Sequence, residues 1–96
     1  MTDMNSIDEN EMQKILSNPF YSLTLSLVNS AMVALGKIPN PMTNQTDKDL
    51  NQAKVSIDML GMLEEKTRGN LTKEEAQTLE QMLYELRMLY VEVKKS

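Results

Sequence analysis

From residue 19 to residue 35 the chain reads PFYSLTLSLVNSAMVAL without one charged residue, and the charge-free span reaches back to Ile15. Asn18 followed by Pro19 is a helix start: asparagine accepts from the first free N–H groups, and proline at the first helical position has no N–H to leave unsatisfied. Gly36 supplies the left-handed residue that ends helices, so the pattern predicts a helix over about 19–35. A rival pattern is present, because SLTLSLV alternates polar and apolar residues with a period of two, as a strand does. The helix is the better reading. NSAMVAL is not strand-like, and no second strand pattern exists to pair with it.

On a helix the apolar residues of this segment fall into two stripes. Phe20, Leu23, Leu27, Ala31 and Ala34 form one; Tyr21, Leu25, Val28, Met32 and Leu35 form the other. Downstream, the run GKIPNPMTNQTDKD holds Pro39 and Pro41 and reads as an ordered loop. Thr46 or Asp47 then caps a second helix predicted over about 47–68, with Leu50, Ala53, Ile57 and Leu60 on its apolar face, Met59, Met62 and Leu63 offset to one side, and Gly69 as its stop. GNLTKEEA follows. Thr72 and Glu75 have capping-box spacing, with Leu71 and Ala76 placed as a hydrophobic staple. The third predicted helix, over about 73–94, repeats Ala76, Leu79, Leu83, Leu86, Tyr90 and Val93 at alternating spacings of three and four. A short connection makes the last two helices an antiparallel hairpin.

One hairpin covers one side of the first helix, which leaves the second stripe without cover. Burying a large apolar side chain contributes about 1.5–3 kcal/mol, so that stripe represents on the order of 10 kcal/mol, comparable with the stability of a whole small domain. The expected fold is therefore all-α: a charge-poor helix packed on a long antiparallel hairpin, self-associated into a homo-oligomeric helical bundle, with a dimer favoured. Tyr21, Leu25, Val28, Met32 and Leu35 are the expected self-association residues. The alternative is that residues 1–18 fold over the stripe. Those residues form an acidic arm, with Asp3, Asp8, Glu9 and Glu11 against Lys14. A capping-box spacing at Ser6 and Glu9 could open a short helix there with Ile7, Met12, Ile15 and Leu16 as its apolar residues, and disorder up to about Asn10 is the competing reading.

Composition narrows the chemistry. The chain has 96 residues and no Cys, His or Trp, which removes disulfides, Cys/His zinc sites, imidazole bases and thiolate nucleophiles. One domain of this size is near the lower limit for folding without cross-links. The net charge of −4 resides mainly in the arm, and the nearly neutral body offers no basic face for nucleic acid. KTRGNLT between helices has the outline of a helix-turn-helix, but a recognition helix beginning Lys73, Glu74, Glu75 would repel phosphate. The apolar stretch is shorter than the ~20 residues a membrane span needs and is interrupted by Ser22, Thr24, Ser26, Asn29 and Ser30. The arm is acidic where a secretory signal is basic, so cytoplasmic residence is the default. Peripheral membrane contact through the first helix is a third reading.

Asp58, with Gly61, Glu64 and Glu65 beside it, is the one place where a carboxylate site could start, although a close helix approach at Gly61 and a surface contact for Asp58 explain it as well. Glu64 and Arg68 stand in the favourable i, i+4 order. Met59, Met62, Met82 and Met88 read as core fillers, with a flexible interaction surface as the other possibility. Tyr90 belongs to the seam and Arg87 to the surface. Pro39, Asn40 and Pro41 form a stiff loop suited to a crossover or to recognition. No catalytic residue, metal ligand or cofactor is expected.

The strings LGKIPNP, AKVSIDMLGMLEEKTRGNLTKEE and LYELRMLYVEV together resemble the bacterial family of domains of unknown function numbered eighteen forty-four. The resemblance covers about residues 20–93. It implies an all-helical bacterial protein, presumed cytosolic, and brings no activity, substrate or catalytic residue with it. On these grounds the chain is expected to be a non-enzymatic oligomerisation or interaction protein, with an unknown protein partner conceivable. The alternative is a small-ligand or carboxylate site at a subunit interface near Asp58 and the Pro39 loop.

Overall fold

A computed structural model describes residues 9, 10, 13 and 17–95. It contains three packed helices, α1 (Pro19–Ala34), α2 (Leu50–Lys66) and α3 (Lys73–Lys95), and among the described residues no strand. Glu9, Asn10, Gln13 and Ser17 also have helical backbone and are exposed. Ser6, Ile7, Met12, Ile15 and Leu16, on which the expected N-terminal helix rested, lie outside the described residues.

Each helix is punctuated by local chemistry. Asn18 caps α1, its Oδ1 accepting from the N–H of Phe20 at 2.9 Å and of Tyr21 at 3.4 Å, with Pro19 in the first turn. At the other end Gly36 takes φ +77°. Its N–H donates to Val33 O at 3.0 Å and that of Lys37 to Met32 O at 2.9 Å, the Schellman pattern that satisfies otherwise free carbonyls. The α3 capping box forms as expected: Thr72 N–H donates to Glu75 Oε1 at 2.9 Å, and Glu75 N–H donates to Thr72 Oγ1 at 3.1 Å. Glu74 and Glu75 in the first turn and Lys94 and Lys95 in the last complement the helix dipole.

The start of α2 differs from the expectation. Neither Thr46 nor Asp47 caps it; Asp49 does, its carboxylate accepting from Gln52 N–H at 3.1 Å. A tertiary bond decides between the candidates, since Asp49 N–H donates to Ala34 O at the end of α1, 2.8 Å away. Upstream of it, Asn40 ties the loop into a turn. Its carbonyl accepts from Asn44 N–H at 2.6 Å, its N–H donates to Gln45 O at 2.8 Å, and its side-chain oxygen accepts from Met42 N–H at 2.8 Å. Asn44 adopts φ +56°, a conformation asparagine tolerates better than most residues. At its other end α2 stops at Lys66, where Thr67 donates its hydroxyl to Leu63 O at 2.6 Å.

The core joins all three helices. Ala31, Ala34 and Leu35 come from the α1 segment, Ala53, Ile57 and Leu60 from α2, and Leu79, Leu83, Leu86 and Val93 from α3. The α3 seam is thus the expected one, except that Ala76 in the first turn is exposed. The α1–α2 contact is built from small residues: Ala31 and Ala53 are fully buried, and Ser56 donates to Ser30 at 3.2 Å. Small side chains at a contact allow a short interaxial distance.

The two expected stripes of α1 do not separate into covered and uncovered faces. Thr24, not Leu23, is turned inward: Thr24 is 1% exposed and Leu23 48%. Thr24 can occupy a core position because its hydroxyl donates to Phe20 O at 2.8 Å, which removes the penalty for burying it. From the second stripe, Leu35 lies in the core and Val28 and Met32 pack against it, while Tyr21 and Leu25 are half-buried.

Candidate functional site

The α1 and α3 N-termini are tied together by one carboxylate. Because Asn18 Oδ1 faces the α1 N–H groups, its Nδ2 is left to point outward, and it donates to Glu75 Oε2 at 2.9 Å. Glu75 thereby serves its own capping box with one oxygen and Asn18 with the other. The Asn18 amide first, and then the Thr72 backbone N–H, hold the Glu75 carboxyl below its ordinary value of 4.5. A folded-state value below the unfolded one contributes stability that is complete above the unfolded value and is lost as pH falls through the folded one. The melting-temperature gap between wild type and Glu75→Gln is therefore expected to hold steady at neutral pH and to close progressively as pH falls below the carboxyl's ordinary 4.5. A gap unchanged at lower pH would show that ionisation of Glu75 contributes nothing. This link was beyond sequence reasoning, since both residues have complete local roles without it.

Asp58 is exposed on α2 and accepts from Lys54 at 2.7 Å. The Asp58 carboxylate holds the Lys54 ammonium above its ordinary value of 10.5. Beside it lies a shallow dent of about 380 Å³, lined by Asp58, Gly61, Met62, Glu64, Glu65, Arg68 and Arg87. The structure thus brings Asp58, Gly61, Glu64 and Glu65 together, but no residue of the Pro39 loop lines this dent. Gly61 is where Arg87 crosses α2: a Cβ there would stand 3.1 Å from Arg87 Nη2. That atom is the free end of a flexible side chain and can move aside. Gly61→Ala is accordingly expected to stabilise the fold by about 0.5–1 kcal/mol, the cost of glycine inside a helix. Thermal denaturation would show a rise of a few degrees; a fall would mean that the guanidinium is held in place.

Pro39 and Pro41 are exposed and Asn40 is half-buried beneath its own hydrogen bonds. The most exposed large apolar residue of this loop is its neighbour Met42, at 90%. It went unnoticed in the sequence, where a lone methionine in a polar run carries no signal.

The methionine expectation is corrected. Met59, Met62 and Met88 are exposed, and of the four on α2 and α3 only Met82 is even half-buried. With Val55 they make the run Val55, Met59, Met62 along α2, and with Tyr84 and Val91 the run Tyr84, Met88, Val91 along α3. The second run lines a groove of about 1230 Å³ that also takes in Thr67, Arg68, Leu71, Glu80 and Arg87. Tyr90, as expected, is half-buried at the seam, with Lys94 Nζ 6.0 Å from its ring centre.

Among the described residues no cluster of three or more acidic, His or Cys side chains could hold a metal ion, and no helix is long and apolar enough to cross a membrane. Over its described residues the chain is all-helical, with three packed helices, and most of its exposed large apolar side chains stand in rows on α2 and α3. It belongs to the family Domain of unknown function (DUF1844), whose model matches residues 17–92. The match takes in α1, α2 and most of α3 and begins just before the Asn18 cap, leaving residues 1–16 and 93–96 outside it. No curated protein and no solved structure matches the chain.

Proposed function

We propose that the chain is a non-enzymatic helical interaction protein that works as a homo-oligomer. The observation that carries this reading is the placement of Val55, Met59, Met62, Tyr84, Met88 and Val91, all exposed and all at helical spacing. Apolar side chains repeated at three- and four-residue intervals form continuous faces, and such faces are found where another chain docks. Tyr21 and Leu25 on α1 and the stiff turn from Pro39 to Met42 are further contact points in this reading.

The competing reading, a ligand or carboxylate site near Asp58, is weakened by two features. Asp58 is already engaged by Lys54, and the dent it lines is shallow and apart from the Pro39 loop. Absolute mass by light scattering after size exclusion, from micromolar to millimolar protein, tests the oligomer. A mass of two or more chains is expected. A single-chain mass at every concentration would overturn self-association.

A further inference from the structure

Along the outer face of α3 run Glu80, Tyr84, Arg87, Met88, Val91 and Lys95, every one of them exposed. Their spacing keeps them on one side of the helix. The order is what matters: an acid at one end, Tyr84, Met88 and Val91 with Arg87 among them in the middle, a base at the other end. Turned about a two-fold axis between Arg87 and Met88, this sequence becomes its own complement. Tyr84 then meets Val91 of the second copy, Met88 meets the stem of Arg87, and Glu80 meets Lys95 at both ends. A parallel arrangement would instead set Glu80 against Glu80 and Lys95 against Lys95, which is repulsive. Glu80 and Lys95 are separated by about 22 Å of helix, so the two ion pairs would flank the stretch from Tyr84 to Val91.

We propose that α3 pairs antiparallel with α3 of a second copy of this chain, Tyr84 opposite Val91 and Glu80 opposite Lys95. The groove beside α3, with Thr67 and Arg68 of the α2 end on its far wall, receives the partner helix. An isologous contact of this kind closes on itself and stops at two chains. The proposal rests on the self-association reading above and specifies its geometry.

The test uses the full chain in four forms: wild type, Glu80→Lys, Lys95→Glu and the double swap. Each single reversal turns two attractive contacts per dimer into repulsive ones, and exposed pairs contribute modestly, so the dissociation constant is expected to rise about tenfold and to recover in the double swap. Register is read separately by cross-linking. The chain has no cysteine of its own, so Tyr84→Cys and Val91→Cys chains, mixed and oxidised, are expected to form a mixed disulfide dimer in preference to either self-linked one. An oligomeric wild type that ignores the charge reversals and gives no preferential mixed dimer would overturn the α3 pairing while self-association stands. A wild type that is monomeric throughout would overturn both, and would assign the groove to a segment of the same chain or to another protein.

Discussion

Leu60→Ala is expected to destabilise the fold by about 2–5 kcal/mol, because the site loses buried methyl groups and the surrounding helices refill the space only in part. Leu60 is fully buried in the cluster shared by the three helices. For a domain whose total stability is about 5–15 kcal/mol, such a loss lowers the melting temperature by at least about 8 °C and brings the variant close to unfolding at physiological temperature. Met62→Ala, two residues along the same helix but 45% exposed, is the control and is expected to change stability by no more than about 0.5 kcal/mol. Similar losses at both positions in chemical denaturation would contradict the core described here.

The second large effect is expected at the α1–α2 contact, where enlarging a side chain is the damaging change. Ala31 is fully buried, and the facing helix presents Ala53 and Ser56. Ala31→Leu is expected to cost about 1–3 kcal/mol through displaced backbone and forced rotamers. The displacement would also break the bond from Ser56 to Ser30 and the bond from Asp49 N–H to Ala34 O. Ala76→Leu, which adds the same atoms at an exposed position of α3, should be close to neutral. If Ala31→Leu were equally neutral in urea denaturation, α1 and α2 would not be closely packed.

Where the sequence carried a local mechanism, the structure could be read from it. The Asn18–Pro19 start, the Gly36 stop and the Thr72–Glu75 box all depend on residues within a few positions of one another, and all three stand as expected. The Leu79, Leu83, Leu86 and Val93 seam followed from periodicity alone. Reading failed where several residues were locally equivalent. Thr46, Asp47 and Asp49 can each cap a helix, and the bond from Asp49 to Ala34 that selects among them joins distant parts of the chain. It failed again where polarity misled: Thr24 ranks below Leu23 as a core residue until its hydroxyl is seen to bond Phe20 O. Methionine gave the least guidance of all, because its side chain suits a core gap and an exposed docking face equally well. The exposed rows on α2 and α3 emerged only once the buried faces of those helices had been fixed.

The bond between Asn18 and Glu75 joins residues 57 positions apart, and this gives it a place in time as well as in space. Closing so long a loop costs more chain entropy than closing the short turn between α2 and α3. The bond is therefore expected to form on the native side of the folding barrier. Asn18→Ala, which removes it together with the α1 cap, is expected to leave the refolding rate nearly unchanged and to speed unfolding several-fold in stopped-flow experiments. Slower refolding would put the meeting of these two helix ends before the barrier. Placed after it, the single carboxylate of Glu75 acts as a latch, setting how long the folded chain persists and not how quickly it is reached.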